Sequence, residues 1–176
     1  MAKFGSASAF LRYGLRTIGV LFAIVAVALV ILIINQRIGL RNFKAHTPAP
    51  GKLVDVAGHP MHIYCMGNGS PTVVIDAGNN CFSLEWTPIQ EALQTTTRVC
   101  TFDRAGYGWS AVGPSPRDGE TVVAELHALL QAAGEPSTYV LVGHSLGGIH
   151  ARLYAARYPD EVAGLVLIDT APASAS

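Results

Sequence analysis

The sequence predicts an α/β fold, a mostly parallel sheet with helices on both faces, preceded by one transmembrane helix. Three observations carry this expectation. From residue 52 onward, apolar runs of strand length alternate with patterns of helical spacing, as a parallel sheet covered on two faces requires. A serine flanked by glycines, Gly143-His144-Ser145-Leu146-Gly147, falls between a strand pattern and a helix pattern. Residues 17–34 form an uninterrupted apolar run near the N-terminus.

In chain order, residues 1–16 are a short basic segment and residues 17–34 carry no charge. At 1.5 Å per helical residue that run is about 27 Å long, close to the hydrocarbon thickness of a bilayer. A cleaved signal peptide has a shorter apolar stretch ending in small residues, whereas this run gives way to Asn35-Gln36-Arg37. An uncleaved anchor with the lipid bilayer as partner is therefore expected. Its orientation stays open: Lys3, Arg12 and Arg16 precede it and Arg37, Arg41 and Lys44 follow it, so the positive-inside rule has nothing to weigh. Residues 35–51, with Pro48 and Pro50, read as a stalk, and residues 52–176 as one domain.

Within the domain, residues 52–56 and 61–66 read as a hairpin around Gly58-His59-Pro60, and residues 72–76 as a buried strand. Residues 84–94 look helical and residues 98–103 strand-like, while Val122, Val123, Leu126, Leu129 and Leu130 line one helical face. A strand at 138–142, a helix at 146–157 and a strand at 163–169 follow; Leu165-Val166-Leu167-Ile168 is apolar on both faces, as a central parallel strand requires. Six of the 12 basic residues lie before residue 45, which leaves six against 12 acids in the domain, a net charge of about −6. Nucleic-acid binding, which needs a basic face, is excluded on that ground.

The chemistry concentrates at Ser145. A sharp turn from strand to helix strains the central residue and demands glycine nearby, here Gly143, Gly147 and Gly148. It also sets Ser145 at a helix N-terminus, where backbone N–H groups favour developing negative charge. Together with Asp76-Ala77-Gly78-Asn79-Asn80 and Asp103-Arg104-Ala105-Gly106-Tyr107-Gly108-Trp109-Ser110, this elbow makes the globular part resemble the N-terminal half of an α/β-hydrolase-fold enzyme.

The resemblance implies a serine hydrolase acting on a small-molecule ester or other acyl substrate through an acyl-enzyme, without cofactor or metal. It assigns Ser145 as nucleophile, with the backbone N–H groups of Leu146 and Asn79 as the oxyanion hole. Asp76-Ala77-Gly78 departs from the commoner His-Gly opening of that loop, so the second donor stays open between Asn79 and Asn80. Asp169, after the last strand, is the candidate acid, although the commoner family position is one strand later. In the family the base is a histidine near the end of the fold, and none of the six here fits. His150 lies too far along its helix, His144 is expected to face away from Ser145, and His46, His59, His62 and His127 read as polar surface residues.

The chain is thus expected to stop after about the sixth strand and to be catalytically incomplete. Acyl transfer to an acceptor other than water, a perhydrolase-like reaction, or a non-catalytic membrane-anchored half-domain are the alternatives. Asp103 with Arg104 is expected to be a local pair and loop anchor, Tyr107 and Trp109 to line the pocket entrance, and Trp86 to be core. Cys65, Cys81 and Cys100 lack the spacing of a zinc or redox motif. The family resemblance places Cys65 and Cys100 on neighbouring strands, within reach of a disulfide in an oxidising compartment.

The apolar run makes its own prediction. Alkaline carbonate washing leaves the chain in the membrane pellet, and recovery in the wash would remove the case for an anchor.

Overall fold

The computed structural model describes residues 5–171, in two units that divide between Pro48 and Ala49. The first unit is one helix, α1 (Gly5–His46), within which Arg12–Gly39 is long and apolar enough to cross a membrane. Helix therefore continues through most of the segment read as a stalk, and only residues 47–51 lead into the second unit without regular structure.

The second unit is built on β1 (Lys52–Val56), β2 (His59–Met66), β3 (Thr72–Asp76), β4 (Val99–Phe102), β5 (Tyr139–His144) and β6 (Val162–Ile168). Their order in the sheet is β1-β2-β4-β3-β5-β6. β4, β3, β5 and β6 run parallel, while β2 pairs antiparallel with both β1 and β4. Helices α2 (Thr87–Leu93), α3 (Gly119–Ala133) and α4 (Leu146–Arg157) cover the sheet.

Strand alternation decides which face each helix covers. Val74, Cys100, Phe102 and Leu141 point into a core shared with Val123, Leu126, Leu129 and Leu130 of α3 and Ala151 and Tyr154 of α4. Thr101 points the other way, where its hydroxyl donates to Gln90 of α2 at 3.1 Å. Gln90 is fully buried because its amide also donates to the carbonyls of Tyr64 (2.7 Å) and Val99 (3.1 Å). Asp118 caps α3 by accepting from the Thr121 N–H at 2.9 Å.

Two expected boundaries shift. The hairpin turn is Ala57-Gly58 rather than Gly58-His59-Pro60, with φ of 51° and 87°. A two-residue hairpin loop needs positive φ at both positions, and Asp55 supports it by accepting from the Gly58 N–H at 3.0 Å. The helix expected over 84–94 splits into a 3-10 turn, Ser83–Trp86, and α2, because Pro88 has no N–H to continue the earlier turn.

Cys65 of β2 and Cys100 of β4 stand opposite each other in register and form a disulfide, with Cα atoms 4.0 Å apart. β6 is an edge strand on which Leu165, Val166, Leu167 and Ile168 are 40–46% exposed, although their sequence suits a central strand.

Candidate active site

Ser145 joins β5 to α4 with φ 51° and ψ −114°, a backbone conformation that an L-residue holds only under constraint. Close backbone packing supplies the constraint. A Cβ on Gly143 would lie 2.4 Å from the Gly148 Cα, and one on Gly147 would lie 2.2 Å from the Asp76 carbonyl oxygen. The Ser145 N–H donates to the Ile168 carbonyl at 2.9 Å, fixing the turn against β6. Its hydroxyl has no hydrogen-bond partner among the described residues.

Leu146 opens α4, so its N–H belongs to the first helical turn and lacks an intrahelical acceptor. The loop after β3 passes directly against Ser145: a Cβ on Gly78 would lie 3.5 Å from the Ser145 Cβ and 2.9 Å from His144 Nδ1. In this loop the Asn80 N–H is occupied by Asn79 Oδ1 at 3.1 Å. The Asn79 N–H has no acceptor among the described residues, so of these two asparagines Asn79 offers the free donor. Asp169 follows β6, exposed and in a left-handed conformation with φ 45°.

Beneath the loop and the elbow, three buried polar side chains meet. Asp76 closes β3; one carboxylate oxygen accepts from Arg104 Nη1 and the other lies 2.8 Å from His150 Nδ1. Arg104 also donates to the carbonyls of Ala77 and Gly78, at 2.5 Å each, and its guanidinium lies 4.8 Å from the centre of the Tyr107 ring. Sequence reasoning missed this cluster, although one signal was available: an acid ending a buried apolar strand needs a cation from elsewhere.

The expected Asp103–Arg104 pair does not form. Neighbouring residues leaving a strand point to opposite sides, so Arg104 turns to Asp76. Asp103 does anchor its loop, accepting from the N–H groups of Ser83 (2.9 Å) and Trp109 (3.0 Å) and from His62 Nδ1 (3.0 Å).

Three histidines expected at the surface lie wholly or partly buried beside acidic side chains instead. His62 is fully buried between Asp103 and the Pro50 carbonyl, 2.5 Å from its Nε2. His59 is buried 3.3 Å from Glu125, and the half-buried His127 lies 3.1 Å from Glu161 and stacks on Tyr158. Each partner comes from a distant segment, so no local pattern announces it.

The two tryptophans exchange their expected places. Trp109 is buried against His62 and Phe82, and Trp86 is half-exposed, 6.1 Å from the His144 ring. Tyr107 does border a cleft of about 410 Å³, with Val122, Leu146 and Ile149. A second cleft of about 320 Å³, between Trp86, Ile89, His144 and Ile168, flanks the elbow on its other side. The one grouping of metal-ligand side chains among the described residues, Cys65, Cys100 and Glu135, is committed to the disulfide and to Arg98.

The family described as alpha/beta hydrolase fold matches residues 71–176. The chain belongs to this family. It is 30% identical over 151 residues to the uncharacterized protein YbdG of Bacillus subtilis (strain 168), covering 85% of this chain and 46% of YbdG. Among solved structures it is similar to an esterase from Thermogutta terrifontis, with a TM-score of 0.61 and 30% identity over 70% of this chain and 46% of that one. An epoxide hydrolase mutant from Vigna radiata gives a TM-score of 0.61 and 28% identity over 66% of this chain and 37% of that one. The chain thus spans about half the length of these relatives or less. Within the alpha/beta hydrolase fold, Ser145 stands at the turn from β5 into α4, beside the loop that follows β3.

The buried Asp103 sets a pH dependence. Burial by itself would raise its pKa, but the bonds from His62 and from the Ser83 and Trp109 N–H groups outweigh burial and hold it below the ordinary 3.8. A carboxylate with a depressed folded pKa adds stability above its unfolded pKa and loses it as pH falls through the folded value. Asp103→Asn should therefore lower the unfolding free energy by about 2 kcal/mol near neutral pH. The gap to wild type should narrow below about pH 4. Urea unfolding on each side of that pH checks this, and a gap that ignores pH would contradict it.

Proposed function

We propose that this chain carries the nucleophile half of a membrane-anchored serine hydrolase that cleaves carboxylic esters through an acyl-enzyme. The observation that carries the reading is the constrained Ser145, set beside two backbone N–H groups, of Leu146 and Asn79; among the described residues neither its hydroxyl nor these two N–H groups have a hydrogen-bond partner.

Ser145 Oγ attacks the ester carbonyl carbon while a base removes its proton. The carbonyl oxygen becomes an oxyanion that accepts from the Leu146 and Asn79 N–H groups. Collapse expels the alcohol, which takes up the proton, and leaves an acyl-Ser145 ester. Water attacks that ester and releases the acid. Each oxyanion donor contributes about 3 kcal/mol to lowering the barrier. Asp169 is retained as a candidate acid that would orient the base.

No histidine among the described residues is assigned as that base. His62, His127 and His150 are committed to Asp103, Glu161 and Asp76, His59 lies buried 3.3 Å from Glu125, and His46 Nδ1 lies 2.8 Å from the Asn42 carbonyl oxygen. His144 lies next to Ser145, but its ring faces Trp86. These 176 residues by themselves are therefore expected to react at Ser145 without sustained turnover.

The apolar stretch Arg12–Gly39 supports the anchor. The Cys65–Cys100 disulfide supports a domain facing an oxidising compartment, since cytosolic thiols are kept reduced.

Two experiments test these statements. A fluorophosphonate should label the wild-type chain and not Ser145→Ala, while hydrolysis of a short activated ester shows no multiple turnover. Absence of labelling would defeat the nucleophile assignment, and Ser145-dependent turnover would reveal an unassigned base. For the compartment, a maleimide added to denatured, unreduced protein should modify Cys81 and spare Cys65 and Cys100; modification of all three would overturn it.

A further inference from the structure

We infer that Arg104 is a positioning residue for the oxyanion site, holding the Asn79 donor in register with the Leu146 donor through a buried link of Asp76 to His150. The inference rests on the reading of Ser145 as nucleophile and adds to it the side chain that aims one of the two donors.

Arg104 reaches three acceptors. Nη1 donates to Asp76 and to the Ala77 carbonyl, and Nη2 donates to the Gly78 carbonyl. The residue is 5% exposed, and Tyr107 covers its guanidinium. The peptide between Gly78 and Asn79 is trans, since the cis bonds among the described residues are at Ser70-Pro71 and Ser115-Pro116. In a planar trans peptide the carbonyl and the following N–H point in opposite directions. Binding the Gly78 carbonyl therefore aims the Asn79 N–H away from Arg104. Tyr107 adds a second tie, since its hydroxyl donates to Asn79 Oδ1 at 3.2 Å.

The other end of the link reaches the helix that carries the first donor. His150 Nδ1 is 2.8 Å from the second oxygen of Asp76, and His150 lies one turn into α4 from Leu146. Gly147 meanwhile packs so closely on the Asp76 carbonyl that a Cβ there would lie 2.2 Å away. Loop and helix are therefore both indexed to Asp76. Two donors must meet one small oxyanion, and misplacement by about 1 Å can cost about a hundredfold in rate. A lysine at 104 would keep the charge but not the planar fork that spans three acceptors.

The test uses the full chain in detergent micelles and a fluorophosphonate as probe, with the labelling rate resolved into maximal rate and half-saturating concentration. With no assigned base, the oxyanion site and binding supply the remaining rate, which makes the measurement sensitive to donor placement. Arg104→Lys should lower the maximal rate at least about tenfold and change the half-saturating concentration by less than about twofold. A purely structural role predicts a melting temperature that falls with the rate unchanged, or both kinetic terms changing together; either result overturns the inference.

If Arg104→Lys fails to fold, Tyr107→Phe replaces it. That change removes only the tie to Asn79 Oδ1 and should lower the maximal rate about threefold or more, whereas an unchanged rate overturns the inference. A wild-type chain that is not labelled, or is labelled independently of Ser145, defeats the nucleophile reading itself and is thereby distinguished from a failure of Arg104 alone.

Discussion

A carboxylate buried at the end of a central strand must be neutralised by polar partners, because an unpaired charge there costs several kcal/mol. Asp76 is that carboxylate, at the end of β3 in the middle of the sheet. Its partners come from two other places in the chain, Arg104 after β4 and His150 on α4. One buried charge thus gathers the ends of β3 and β4 and the start of α4 around a single point. The elbow then closes onto the same residue, since Gly147 packs against its carbonyl oxygen.

A second buried pair organises the other side of the site. Asp103 and His62 are both fully enclosed, and together they collect the Ser83 and Trp109 N–H groups and the Pro50 carbonyl. The segment entering the domain, the turn after the β3 loop and the loop after β4 are joined there by hydrogen bonds to one buried pair. Arg104 follows Asp103 directly, so the stiffness of this loop sets where the guanidinium sits. The two acid-centred clusters act in series, one fixing the loop and the other using it.

Apolar packing plays a different part. The core between the sheet and α3 and α4 supports β3 and β5 from one face, and Gln90 closes the other face through backbone carbonyls. At β6 the apolar side chains remain 40–46% exposed, so the strand that receives the Ser145 N–H is anchored by its ladder to β5 more than by burial. The two proposed donors are backbone groups, and a backbone group can be aimed only by what binds its neighbours. Polar side chains with fixed geometry, rather than core volume, therefore decide the arrangement at Ser145.

Much of this was legible in the sequence. The strand and helix alternation, the bounds of α4, the apolar N-terminal helix and the glycines around Ser145 follow from periodicity and local sterics, which act over a few residues. The hairpin turn sits one position earlier than its local signals suggest, and the break before Pro88 interrupts a pattern that reads as one helix over 84–94. What escapes a local reading is the pairings: Arg104 reads as the partner of Asp103, and His59, His62 and His127 as surface residues, whereas each lies against a group at least 28 residues away. By itself the sequence determined the fold class and the position of Ser145, since these depend on spacing and backbone sterics. Only the tertiary structure decided which buried charges meet, and so which N–H groups stay free, because a buried ion is satisfied by proximity in space, to which order along the chain is blind.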